Sequence, residues 1–139
     1  MIYLYIAFGN KVMDTTEMKE CIEENTAFKV LKDMSKGTKR EDVCAYNLSI
    51  GIDELKEELE GFDIEGLDED TLFEEYLATA EESAMEIEEY LPEESKVRFV
   101  TYKWDLSDND IKGIIVIGND EISDVKMSDV LRRLLTQVE

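Results

Sequence analysis

The chain has 139 residues, 43% of them apolar and 9% aromatic, with 35 acidic and 15 basic side chains for a net charge of −20. That length and apolar content fit one domain with a real core and exclude a disordered-protein composition. The charge disfavours nucleic acid as a direct ligand, because phosphate affinity comes from Lys and Arg, and the lack of any histidine removes the commonest general base and transition-metal ligand.

Residues 1–8 (MIYLYIAF) are dense in β-formers and predict a central or well-covered strand closed by Gly9 and Asn10. Asp14 and Glu17 have the spacing of a capping box that opens a helix. Met18, Cys21 and Ile22 share one helical face, whereas Ala27, Val30, Leu31 and Met34 lie on another. The spacing therefore predicts two short helices, broken near Asn25 and Thr26 and stopping at Gly37. Cys21 and Cys44 have no CxxC partner and read as thiols, not as a disulfide or metal pair. Lys36, Lys39 and Arg40 form a lone basic cluster on a predicted loop. Solubility is its simplest role, and clamping the acidic helix or a phosphate is the alternative.

Residues 43–50 alternate, with Cys44, Tyr46, Leu48 and Ile50 on one strongly apolar face of a strand that Gly51 ends. Ile52, Leu55, Leu59 and Phe62 space a short helix ending at Gly61, and residues 62–67 (FDIEGL) form a loop. One long helix is predicted over 68–91, with Asp68 as N-cap and Pro92 as the stop. Its apolar face is Phe73, Leu77, Ala80, Ala84, Ile87 and Leu91, flanked by Tyr76, Ser83 and Tyr90. Residues 96–104 and 111–117 predict an antiparallel hairpin joined by a polar turn, the second strand being interior to the sheet. Ser128 is the predicted cap of a last helix carrying Val130, Leu131, Leu134, Leu135 and Val138. The order is β-α-α-β-α-α-β-β-α: one α+β domain over 1–139, with an about four-stranded, at least partly antiparallel sheet covered by helices.

Charge is concentrated in residues 53–94, which hold 19 acids and one base, Lys56. In the long helix Glu74–Glu75, Glu81–Glu82 and Glu88–Glu89 repeat at seven-residue spacing, with Glu86 added. Glu75, Glu82, Glu86 and Glu89 are expected to point away from the apolar face, while Glu74, Glu81 and Glu88 flank it. From Glu69 to Glu89 an acid occurs every ~3.5 Å of axis, close to the ~3.4 Å phosphate spacing of a DNA strand. A solvated face is the bland reading, but a helix built for stability would intersperse Lys or Arg, since like charges four residues apart repel.

Other chemistry is thinly represented. No glycine motif that would cradle a phosphate occurs. Asp105, Ser107, Asp108, Asn109 and Asp110 carry oxygen ligands but lack the glycine and glutamate of an EF-hand loop, and read as a polar turn. Asp63, Glu65 and Asp68 are a nonspecific carboxylate triplet of the kind magnesium accepts. No catalytic residue, cofactor or metal is expected. No run of about 18 apolar residues is present, so the expected setting is cytoplasmic, away from any membrane. Halophilic adaptation is disfavoured, because the acids sit in one block.

The expected function is non-enzymatic. The helix over 68–91 would occupy a basic, nucleic-acid-binding surface of a partner protein, in the manner of small acidic DNA-mimic inhibitors: anti-CRISPR and anti-restriction proteins of phages or mobile elements, or nuclease-immunity proteins. The likeness is in charge and size alone. The expected contact residues are Asp68, Glu69, Asp70, Glu74, Glu75, Glu81, Glu82, Met85, Glu86, Glu88 and Glu89, with Tyr76 and Tyr90 as further apolar anchors. The alternatives are a domain that oligomerises or docks through a heptad seam on the same helix, and a carboxylate-based magnesium or calcium enzyme.

Overall fold

A computed structural model describes residues 5–8, 11–40, 42–61 and 63–138. In chain order these form β1 (Tyr5–Phe8), β2 (Lys11–Asp14), α1 (Thr15–Asn25), β3 (Lys29–Asp33), β4 (Val43–Gly51), α2 (Ile52–Glu58), α3 (Glu69–Glu86), β5 (Ser95–Asp105), β6 (Asp110–Asn119) and α4 (Asp124–Val138). Single 3-10 turns follow β3 at Ser35–Thr38 and α3 at Ile87–Tyr90.

The fold is mixed α+β around a four-stranded antiparallel sheet of order β3-β4-β6-β5. β4 and β6 are its interior strands because they are apolar on both faces, and the two faces bury separate cores. Cys44, Tyr46, Leu48, Ile50, Ile115 and Ile117 face the side covered by α1, α2 and α3. Val43, Ala45, Ile114 and Val116 face α4, which contributes Met127, Val130, Leu131 and Leu134. The acidic helix and the C-terminal helix thus lie on opposite faces of one sheet.

Several local features follow the sequence closely. The Asp14 carboxylate caps α1 by accepting the Glu17 amide at 2.7 Å, and the helix ends at Asn25. β5 and β6 form the expected hairpin, and Gly61 adopts a left-handed φ of 96° after α2. At Gly113 a Cβ would come within 2.7 Å of both the Phe99 ring and the Val100 carbonyl oxygen. The neighbouring strand bulges there, between Thr101 and Lys103.

Four expectations are corrected. Residues 29–33 are strand β3, not a second short helix. Antiparallel pairing with β4 decides it, and a register shift between Val30 and Lys32 hides the two-residue alternation, leaving Leu31 exposed. The first strand is not central to the main sheet: Tyr5–Phe8 pairs only with β2 among the described residues, although Ile6 is buried. Met1 to Leu4, the Gly9–Asn10 closure and Phe62 lie outside the described residues. Ser128 is not a cap. α4 starts one turn earlier, with the Ser123 hydroxyl accepting the Lys126 amide at 3.3 Å, because Met127 already belongs to the buried stripe. Tyr76 is a core residue, not a flanking one, as described below.

Candidate acidic site on α3

Asp68 opens α3 as its N-cap, its Oδ1 accepting the Thr71 amide at 2.8 Å, and hydrogen bonds from Thr71 hold its carboxyl below the usual carboxylate range. Glu69 and Asp70 follow in the first turn, where the helix dipole favours negative charge. The α-helix itself ends at Glu86. Glu88 and Glu89 sit on the tighter 3-10 turn that precedes Leu91 and Pro92, so the third acidic pair is turned relative to the first two.

The helix meets the sheet on a face rotated from the expected one. Tyr76, Thr79, Ala80 and Ala84 are buried, with Ile87 in the turn that follows, while Leu72, Phe73 and Leu77 are only partly so. At about 100° per residue this shifts the centre of the buried face by roughly 40° towards Tyr76. Trp104 fixes the rotation: Phe73 stacks on its indole (centroids 5.4 Å apart, interplanar angle 10°) and Tyr76 meets it edge-on at 5.6 Å. The heptad-spaced apolar face is therefore taken up by the chain's own core, and Tyr76 is no surface anchor.

The rotation also turns the Glu74–Glu81–Glu88 row outward. Asp68, Glu69, Asp70, Glu74, Glu75, Glu81, Glu82, Met85, Glu86, Glu88 and Glu89 are all exposed. Met85 is 42% and Tyr90 48% exposed, which leaves these two as apolar groups among the charges. Glu75, Glu82 and Glu86 line one wall of a groove of about 510 Å³ between α2 and α3, where Glu58 adds a fourth carboxylate and no base contributes. The Ser83 hydroxyl donates to Glu58 Oε2 at 2.7 Å and holds that side chain against α3. Glu58 was not among the expected site residues. The signal for it is that Leu55 and Leu59 are buried, leaving Glu58 at the margin of the apolar side of α2.

None of the acids in residues 53–94 forms an ion pair among the described residues. The ion pairs present use Asp42, Asp105, Asp108, Asp110, Asp124 and Asp129. The contrast is clearest in the hairpin turn. Asp105, Asp108 and Asp110 bring ligand oxygens within 4.8 Å of one another, and the Lys112 ammonium sits among them at 2.8, 2.7 and 3.2 Å. Burial works against the charge on Lys112, but the hydrogen bonds to the three aspartates outweigh it and hold its pKa above the usual lysine value. This is the one close carboxylate group of that kind among the described residues, so Asp63, Glu65 and Asp68 are not brought together as a triplet.

Cys44 is buried, with burial pushing its thiol pKa up, and Cys21 is half-buried, its Sγ 3.2 Å from the Tyr90 carbonyl oxygen; both are free. No helix of the described residues is long and apolar enough to cross a membrane. Comparison with protein-family models, curated proteins and solved structures finds no match, so what the site can do rests on its own geometry and charge.

Proposed function

We propose that this protein is a non-enzymatic binding protein whose α3 face occupies a basic, nucleic-acid-binding surface of a partner, as DNA-mimic inhibitors do. The observation that carries the reading is the unrelieved charge of the α2–α3 region: acids that are exposed, regularly spaced, and without a single ion pair among the described residues. Like-charge pairs such as Asp70/Glu74 and Glu82/Glu86 cost a few tenths of a kcal/mol each in a helix. A surface shaped only for stability would relieve them, as Lys112 relieves the hairpin turn. A partner rich in Lys and Arg relieves them on binding, and the potential of the face steers the encounter.

Two further features fit the reading. The Glu58–Glu75–Glu82–Glu86 groove offers Arg or Lys side chains a concave, carboxylate-lined seat. Met85 and Tyr90 supply apolar contact between charges, the kind of anchor that carries much of an interface's energy. The apolar side of α3 lies on the sheet, so a docking seam there would require opening the core.

The test is capture of partners from a nuclease-treated lysate on the immobilised protein at about 0.1 M salt, followed by elution at about 0.5 M salt or with duplex DNA. The reading predicts that a nucleic-acid-binding protein is retained and that both treatments release it. Retention of proteins that duplex DNA does not displace would reject it.

A further inference from the structure

On the other face of the sheet the charge reverses locally. The 3-10 turn Ser35–Thr38 and its following residues pack against α4, forming a cleft of about 290 Å³ lined by Lys39, Arg40, Lys126, Asp129, Val130 and Arg133. The internal pairing of these groups leaves a remainder. Arg40 makes a bidentate pair with Asp42 (2.8 and 2.7 Å), and Asp129, the one carboxylate lining the cleft, lies 3.7 Å from Arg132. Lys39, Lys126 and Arg133 have no carboxylate partner within ion-pair distance among the described residues. Three cations that form no ion pair among the described residues therefore converge in one cleft, with Asp42 acting on Lys126 only at longer range, in a chain whose acids outnumber its bases by 20.

The cleft is held in shape. Arg133 Nη1 donates to the Thr38 carbonyl at 2.8 Å, fastening α4 to the turn while leaving most of the guanidinium donors unused. Thr38 is fully buried. Its hydroxyl donates to the Ser35 carbonyl at 2.7 Å and accepts the Arg40 amide at 3.2 Å. Lys39 takes a left-handed φ of 57° between them. Gly37 lets the turn approach α4, since a Cβ there would lie 2.9 Å from both Leu134 and Gln137. The acidic helix lies on the opposite face of the sheet from the cleft.

We propose that this cleft binds a phosphate-type dianion, with Lys39, Lys126 and Arg133 as its cationic ligands. The volume sits at the lower limit for small-molecule pockets, which suits a phosphate group and little of what carries it. Two exposed ammonium groups and one guanidinium anchored on Thr38 suit a tetrahedral anion of charge near −2.

The experiment is calorimetric titration of the full chain with inorganic phosphate and, separately, with phenyl phosphate, against sodium chloride at matched ionic strength. It is repeated on K39A/K126A, whose fold is checked by circular dichroism and which leaves Arg133 and its bond to Thr38 in place. Saturable binding at one site, weakened at least tenfold in the double variant, is expected. Tighter binding of the ester than of free phosphate would identify a phosphorylated molecule as the ligand, and equal binding the free anion. A response that chloride reproduces, or binding undiminished in K39A/K126A, would overturn the proposal.

Discussion

The Lys112 ammonium lies 2.8 Å from Asp105 Oδ2 and reaches two further aspartates of the same turn, so the one place where carboxylates crowd together in the hairpin is closed by its own cation. Hydrogen bonds from Lys112 and from the Asp108 amide hold the Asp105 carboxyl well below the usual carboxylate range. A carboxylate depressed in the folded state adds stability that is present above its unfolded pKa of about 3.9 and is lost as pH falls through the folded value. The contribution of Asp105 to thermal stability should therefore decline below about pH 4, read as the difference in melting temperature between wild type and Asp105→Asn across that range.

Lys112→Met removes the cation shared by all three aspartates and leaves them in mutual repulsion, with only Lys103 remaining, 3.4 Å from Asp105. The variant should be less stable than wild type near neutrality. It should gain stability as pH falls towards about 4, and should be restored near neutrality by millimolar calcium that leaves the wild type unchanged. Melting curves with and without calcium check this, and a variant indifferent to the ion would refute the account of the turn.

The two tyrosines of the acidic segment should behave oppositely. Tyr76 is fully buried against Trp104, so Tyr76→Ala should cost about 3–5 kcal/mol, in line with other large-to-small core changes. Tyr90→Ala, at an exposed position, should stay within about 0.5 kcal/mol and weaken partner binding instead. Denaturant unfolding measures both, with Trp104, the single tryptophan, as reporter.

Gly113→Ala should destabilise by about 1–3 kcal/mol, because its Cβ has no room beside Phe99 and Val100 at the β5 bulge. The paired substitution Gly113→Ala/Phe99→Leu should recover part of that loss in the same unfolding assay.

The acidic face should carry its own signature in stability. Replacing Glu74, Glu75, Glu81, Glu82, Glu88 and Glu89 by Gln should leave the fold intact and raise stability by roughly 0.2–0.5 kcal/mol per relieved like-charge pair. Raising salt from about 0.05 to about 0.5 M should stabilise the wild type more than the variant, since it screens the same repulsion.

What could be read from the sequence follows from how locally each feature is encoded. Asp14 and Asp68 announce their helices because a cap needs only the residue and the amide three positions on. β6 declares itself interior because Ile114, Ile115, Val116 and Ile117 are apolar on both faces. β3 stayed hidden because the shift after Val30 breaks its alternation, and its pairing with β4 is a tertiary fact. The rotation of α3 towards Tyr76 was equally out of reach: the stacking on Trp104, a residue from another strand, decides it. The exposure of Glu75, Glu82, Glu86 and Glu89 was legible from spacing, whereas the Glu74–Glu81–Glu88 row is turned outward by that rotation and Glu58 joins them only because α2 packs alongside α3.

The most direct test of the central claim compares wild type and the six-glutamine variant as baits for the same nucleic-acid-binding partner at about 0.1 M salt, after circular dichroism has shown both folded. The account predicts that the wild type retains the partner and displaces its nucleic acid, while the variant loses at least a hundredfold in affinity. A folded variant that binds the partner as tightly as the wild type would contradict it.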